Sequence, residues 1–371
     1  MIGQPVYKKI YNDFLEKINS GSLKPGERLP SEMELCSLYN VSRITSKRAL
    51  ELLADQGYIF RSPGKGSFVS SNLQQSDNKN SFLKETIGFI LPDFADPFGT
   101  RLIYGIEESC AALGYHLVLK RTRDQCEDEE AAIKQLSGIA GILLVPVHGE
   151  YYNQEILKLV LNKKPLVFVD RKLKGLAAPA VTANNLEAAE TGTRYLLEQG
   201  HRDIAFFSGP LIHTSTVEDR HQGFLTAHAK FRISHNPSYL CQDISSIWTW
   251  PFYSPKRINL DIKTASNLLK KHPEITAAFT AEYSMAIIVK TAAESLGMSI
   301  PENFSILTFD APPSITGVPP FTHIFQDEYL VGKEAVRTLH SIITQNTPAP
   351  SADILVPARL IIGASTGPAK L

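Results

Sequence analysis

The sequence lacks a net charge: 38 Lys and Arg stand against 38 Asp and Glu in 371 residues. Taken whole, that balance argues against a nucleic-acid partner, but the average hides a basic head. Residues 1–70 hold ten Lys/Arg and seven Asp/Glu, a net +3, which leaves −3 for the remainder. Cysteine is scarce, and Cys36, Cys110, Cys126 and Cys241 show neither close pairing nor metal-like spacing, so they read as packing residues. The opening MIGQPVYKKIYNDF has no apolar core of signal-peptide length, and the longest apolar run, Ile139 to Val147, is far short of the ~20 residues of a membrane span. A cytoplasmic protein is expected. With 20% charged residues and 23 each of Gly and Pro, disordered, collagen-like and coiled-coil classes are excluded. The ten histidines include no HExxH and no zinc-like cysteine partner. GxxxxGK[ST] does not occur, and the Gly363–Gly367 stretch, GASTG, comes too late in the chain and follows the wrong element for a phosphate loop. Neither a metal nor a cofactor is expected, and nucleotide and acyl chemistry find no support.

The chain is 43% apolar and long enough for two or three domains. Val6, Ile10, Phe14 and Ile18 recur every four positions, which predicts a helix ended near Gly21. Ser31 with Glu34 three residues on has the form of a capping box for a second helix to about Leu38, and Ser42 caps a third that carries Ala49, Leu50, Leu52 and Leu53 inward. Tyr58-Ile59-Phe60 and Ser67-Phe68-Val69 then flank Pro63-Gly64-Lys65-Gly66 as a small hairpin. Three helices and a hairpin make an α+β winged helix-turn-helix over residues 1–70. A polar stretch without period, 71–84, reads as a linker. Over 85–371, apolar runs such as TIGFILP, GILLVP, PLVFVD, DIAFFSG and FSILTFD alternate with helical patterns, and the alternation restarts after Val181. That predicts an α/β body of two similar lobes with parallel sheets.

A helix pair of this kind fits a major groove and offers the first turns of its second helix to base edges. Arg43, Thr45, Lys47 and Arg48 lie there, after the capping Ser42. The string from Pro25 to Val69 resembles the GntR family of bacterial regulators, whose winged head binds an operator as a dimer. The family's Leu-Pro-Ser-Glu, Val-Ser-Arg, Thr, basic and Ala-Leu pattern is met by Leu29–Glu32, Val41–Arg43, Thr45, Lys47 and Ala49-Leu50. The resemblance implies that Arg28, Ser31, Glu32 and the wing residues Lys65 and Gly66 also lie at the backbone or groove. Lys47 stands where the family has Arg. It keeps the charge without the planar fork, so a phosphate contact is expected there, and Glu32 requires a cytosine amino group or a basic neighbour.

Two such lobes create a cleft at the carboxyl ends of their strands. Asp93, Asp96 and Phe98 follow the first strand, Asp170 and Arg171 follow PLVFV, Arg220 lies at a helix start, and Asp310 and Gln326 follow ILTF and THIF. Polar groups and a ring converging on one slot suit a sugar. The body resembles the periplasmic-binding-protein-like core of LacI-type repressors and ribose-type receptors over residues 86–363, on stretches such as LVFVDRKL, EDRHQGF, FSILTFD and IFQDEYLVGKEAVRTL. The resemblance implies sugar contacts at Phe98, Arg171, Arg220, Asp310 and Gln326, with Asp96 where Asn is frequent and Glu282 in place of the usual Asn-Asp before Met-Ala. Trp250, in the cluster 247–253 that holds both tryptophans, is a candidate ring over the sugar or part of a packed loop. A GntR-type head on a LacI-type body is the arrangement of the arabinose repressor group. It implies a homodimer on operator DNA, a repressor of carbohydrate-use genes released by a small sugar, with arabinose the leading inducer. A transport-associated sugar receptor and a sugar-processing enzyme are the competing classes. The intact head opposes the first, and a turnover assay on pentoses separates the second.

Overall fold

The computed structural model describes all residues except 1–4, 63, 71–81, 94–97, 149–152, 211–213, 247–253, 313–316, 346–351 and 371. Two compact units divide the chain, Met1–Lys84 and Glu85–Leu371. The linker expected at 71–84 lies almost wholly outside the described residues.

In the first unit α1 (Val6–Asn19), α2 (Glu32–Tyr39) and α3 (Arg43–Asp55) precede the hairpin of β1 (Ile59–Ser62) and β2 (Gly66–Val69). Ile10, Phe14 and Ile18 of α1 meet Leu35, Ala49, Leu50, Leu53, Ile59 and Val69 in one small core. The α2–α3 turn is set locally. Asn40 takes the left-handed conformation, φ 51°, that asparagine tolerates at a helix end, and the Ser42 hydroxyl accepts the Thr45 N–H at 3.3 Å to start α3.

The second unit carries two sheets. In the first, β3 (Thr86–Leu91), β4 (His116–Arg121), β5 (Gly141–Leu144), β6 (Leu166–Val169), β7 (Ala180–Ala183) and β13 (Ile354–Val356) lie in the order β13-β7-β6-β5-β3-β4, all parallel. The second has β8 (Ile204–Phe207), β9 (Leu240–Cys241), β10 (Ala277–Thr280), β11 (Ser305–Phe309), β12 (Thr322–Phe325) and β14 (Arg359–Ile361) in the order β14-β12-β11-β10-β8-β9. Only β14 is antiparallel to its neighbour. Central strands are buried on every residue, as a sheet covered on both faces requires. The helices are α4 (Phe98–Ala112), α5 (Cys126–Gln135), α6 (Gln154–Leu161), α7 (Asn185–Glu198), α8 (Ser215–Lys230), α9 (Pro255–Lys271), α10 (Tyr283–Ser295) and α11 (Glu328–Gln345). Within both sheets the order of the first five strands places a topological switch beside the first strand, where ligands of such sheets bind.

Two expectations need correcting. The pattern does not simply restart after Val181. Strand β7 belongs to the first sheet, and the chain crosses back after β12, so α11 and β13 complete lobe one before β14 closes lobe two. Helix α11 packs on α4 so closely that a Cβ at Gly105 would lie 2.2 Å from the Tyr329 carbonyl oxygen, and one at Gly332 2.7 Å from that of Leu102. The ninth helix begins at Pro255, not at 261, with proline at its first turn where no N–H is needed. All four cysteines are free, with Cys110 and Cys241 buried. Among the described residues, no helix is long and apolar enough to cross a membrane.

Candidate nucleic-acid surface and ligand cleft

The head's polar residues gather around the start of α3. Ser31 caps α2 in a full capping box, with its N–H donating to the Glu34 carboxylate at 2.7 Å. Glu32 finds basic neighbours rather than standing alone: Arg43 Nε lies 3.2 Å and Arg61 Nη2 3.4 Å from its carboxylate oxygens. Arg43 is thereby aimed while its side chain stays 76% exposed. Lys47 faces Glu51 at 3.7 Å. Both pairs are surface pairs, worth at most about 1 kcal/mol, so phosphates or bases can displace them. Arg48 points elsewhere, its guanidinium 4.8 Å over the Tyr7 ring of α1. Thr45 is half-buried, its hydroxyl 2.9 Å from that of Ser42.

Arg28 and Lys65 are exposed. At the wing Gly66 has φ 116°, a conformation that side chains rarely adopt, and a Cβ there would lie 2.9 Å from Arg28 Nε, so that exposed side chain would have to shift. Sequence reasoning missed Ser46. Fully buried, its hydroxyl lies 3.0 Å from the carbonyls of both Glu32 and Arg43, which share its one proton, and so it pins α3 to α2.

In the body, β6 and β11 end alike. Asp170 and Asp310 both take left-handed backbone, φ 64° and 57°, and both donate their N–H to the next strand, at Val181 and Ile324, at 2.9 Å. Such a conformation is costly for a residue with a side chain and clusters at functional sites. Arg220 of α8, 5% exposed, donates from each of its three nitrogens. Nε donates to Asn185 Oδ1 at 2.7 Å, Nη1 to the Ala281 carbonyl at 2.7 Å, and Nη2 to Gln326 Oε1 at 3.3 Å. Its guanidinium lies 3.9 Å over Phe309. Gln326 in turn donates to Asp310 at 2.7 Å. Asn185 opens α7 just after the first crossing between lobes and Gln326 sits in the second, so one buried cation joins both. Glu282 follows Ala281 and holds the N-cap position of α10, without a side-chain capping bond, at the same sheet end.

Across the cleft Arg171, 9% exposed, has Nε 3.6 Å from Asp170, while its Nη1 is buried with no hydrogen-bond partner among the described residues. An unmet buried donor costs about 1–3 kcal/mol, and an arriving acceptor recovers it. Burial raises the Asp170 carboxyl pKa against the pull of Arg171 and Arg220. Behind them, the buried Glu129 accepts the Val147 N–H at 2.9 Å and Asn153 Nδ2 at 3.2 Å, and burial raises its pKa. Asp124 accepts the His148 N–H at 3.0 Å and faces its Nδ1 at 2.7 Å. On the cleft's rim the Lys172 N–H donates to Ser215 Oγ at 3.1 Å, and Lys174 pairs with Glu218.

The structure places Asp170, Arg171, Asp310 and Gln326 just after strands and Arg220, in the second turn of α8 rather than at its start, against Gln326. Asp93 is different: its carboxylate is taken by Arg121 at 2.6 Å. Asp96 and Trp250 lie outside the described residues, as does the Phe98 side chain. Asn185, Phe309 and the Ala281 carbonyl were not expected. The only signal available was that Asn185 and Ala281 follow apolar strands.

Known proteins resemble the two regions separately. Residues 6–69 match the bacterial regulatory proteins of the gntR family, and residues 193–366 match the periplasmic binding protein-like domain. The arabinose metabolism transcriptional repressor of Geobacillus stearothermophilus is 26% identical over 98% of this chain and 98% of its own. The ribose operon repressor of Halalkalibacterium halodurans is 26% identical over 89% of this chain and 93% of its own. In fold, the transcription regulator CcpA of Lactococcus lactis aligns with TM-score 0.65 at 20% identity, covering 76% of this chain and 99% of that one. Head and body together give the chain the architecture of a transcriptional repressor, a head matching the gntR family followed by a periplasmic binding protein-like body.

Proposed function

We propose that the chain is a cytoplasmic homodimer that represses carbohydrate-use genes and leaves its operator when a small free sugar fills the cleft. The domains in this reading are residues 1–70 for DNA, 71–84 for the linker and 85–371 for sugar sensing and dimerisation. The observation that carries it is the buried Arg171 Nη1 without an acceptor, opposite the completed Arg220–Gln326–Asp310 chain. A hydroxyl offers that acceptor and can return its own proton to a carboxylate such as Asp170 or Asp310. Each cleft cation already has a carboxylate or carbonyl oxygen near it, which favours a neutral sugar over a phosphorylated one. Asp96, Phe98, Trp250 and Glu282 join as further contacts. The arabinose repressor relative makes arabinose the leading sugar.

In the head, Arg43 and Thr45 read bases, while Arg28, Ser31, Lys47, Lys65 and Gly66 hold the backbone. Ser42, Glu32 and Arg48 support them through the cap, the Arg43 pair and the Tyr7 contact. Two heads on one dimer read half-sites whose spacing the dimer fixes. Sugar closure changes that match. A hundredfold loss of operator affinity requires a preference of about 2.7 kcal/mol for the released state. Calorimetry of the full chain against pentoses, hexoses and their phosphates tests the reading. Binding of a free sugar, arabinose first, is expected, and binding of phosphorylated sugars alone would overturn the neutral-sugar assignment.

A further inference from the structure

Helix α3 buries Ser46, Ala49, Leu50 and Leu53. At 3.6 residues per turn those four centre on one side of the helix, and Ile44 in its first turn, like Asp55 at its far end, lies opposite within about 10°. Ile44 is 80% exposed, and no described large apolar residue is more so. A single exposed apolar side chain is ordinary on a protein surface, but this one has a defined address. It is the second residue of α3, in the turn that a helix-turn-helix presents to base edges. On either side Arg43 is tethered by Glu32 and Lys47 by Glu51, so an apolar group stands between two cations. As a β-branched residue it is also the stiffer and poorer choice for a solvated helix position, which leaves it without a folding role here.

Base edges in the major groove present donors, acceptors and one apolar group, the C5-methyl of thymine. We propose that Ile44 packs on the C5-methyl of one thymine in each half-site and is a specificity-determining residue of the head. A side chain locked at χ1 by its helix loses little freedom on making that contact. This inference rests on reading the chain as a sequence-specific DNA binder, and it adds the identity of one base to that reading.

The test uses the full chain and a duplex selected by the wild type from a random-sequence pool. Each thymine of the half-site is replaced singly by uracil, which removes only the methyl, and wild type and I44A are titrated against every duplex. One uracil position should weaken wild-type binding by about fourfold per half-site, the value of a buried methyl. I44A should bind the unmodified duplex more weakly by at least that factor and should be indifferent to uracil at the same position. Its melting curve should match that of the wild type, since the side chain packs in no core. Equal losses for both proteins at every uracil, or undiminished binding of I44A to the unmodified duplex, would overturn the proposal while leaving specific DNA binding intact. If I44A weakens without losing sensitivity to any uracil, Ile44 contacts a second head or a sugar, and the proposal fails. Absence of any selected sequence would overturn this inference and the DNA-binding reading together.

Discussion

Arg43 and Arg220 are the same side chain in opposite settings. The first is 76% exposed and held by one surface carboxylate; the second is buried, with three hydrogen-bonded acceptors and a phenyl ring beneath it. The contrast separates two kinds of recognition. A surface that meets phosphates and bases keeps its cations solvated and loosely paired, so that little is lost when DNA replaces the pair. A crevice that selects a small polar molecule builds its network in advance and leaves few donors open. Here that donor is Arg171 Nη1.

The sharpest way to break the comparison is to truncate both arginines. Arg220→Ala strands Asn185, the Ala281 carbonyl and Gln326, and should destabilise the body by about 3–5 kcal/mol, read as a lower urea midpoint. Arg220→Lys should not rescue it, because an ammonium cannot reach three acceptors as a planar fork does. Arg43→Ala should leave that midpoint unchanged and weaken binding to a selected duplex by about 1–3 kcal/mol in a gel-shift titration. If the two variants exchange phenotypes, the division into exposed and buried recognition is wrong.

Acid should also divide the regions. Residues 1–70 contain no histidine, whereas His228 and His235 lie against Phe224 in the body core. Burial lowers both, His235 to about 4. The folded body holds them neutral while the unfolded chain takes up protons near 6.5. Stability is therefore complete above about pH 6.5 and falls as the pH drops toward 4, by on the order of 2 kcal/mol from His235. Urea midpoints at pH 7.5 and 5 should show the loss in the body, and His235→Phe should flatten it. The smallest effect belongs to the head. Ser31→Ala removes the capping box and should cost about 1 kcal/mol of head stability, seen as a lower melting temperature of the head, with sugar binding untouched.

The two regions also differ in how far their residues betrayed them. The head is specified by neighbours in sequence. Ser31 with Glu34, Ser42 with Thr45, and the glycine at 66 act over three residues or at one, and all were readable. Strand-end residues of the body were readable for a similar reason, since each follows an apolar run. What could not be read is convergence over distance. Arg220 meets partners 35, 61 and 106 positions away, and one of them, the Ala281 carbonyl, carries no side-chain signal. Helix α11 shows an amphipathic pattern that says it packs, but not that it returns to the first lobe. Only the close approach at Gly105 and Gly332 records that address, and a glycine in a helix has no unique meaning beforehand. Glu32 was readable as a misfit among phosphates, yet its answer, Arg43 and Arg61, came from two other elements.

The most direct measurement is the dissociation constant of the full chain for its selected duplex, determined alone and with each free sugar that calorimetry finds to bind. At least one such sugar should weaken DNA binding, by about a hundredfold for a ~2.7 kcal/mol coupling, and the duplex should weaken sugar binding by the same factor. An unchanged dissociation constant at saturating concentrations of every sugar that binds would contradict the coupling.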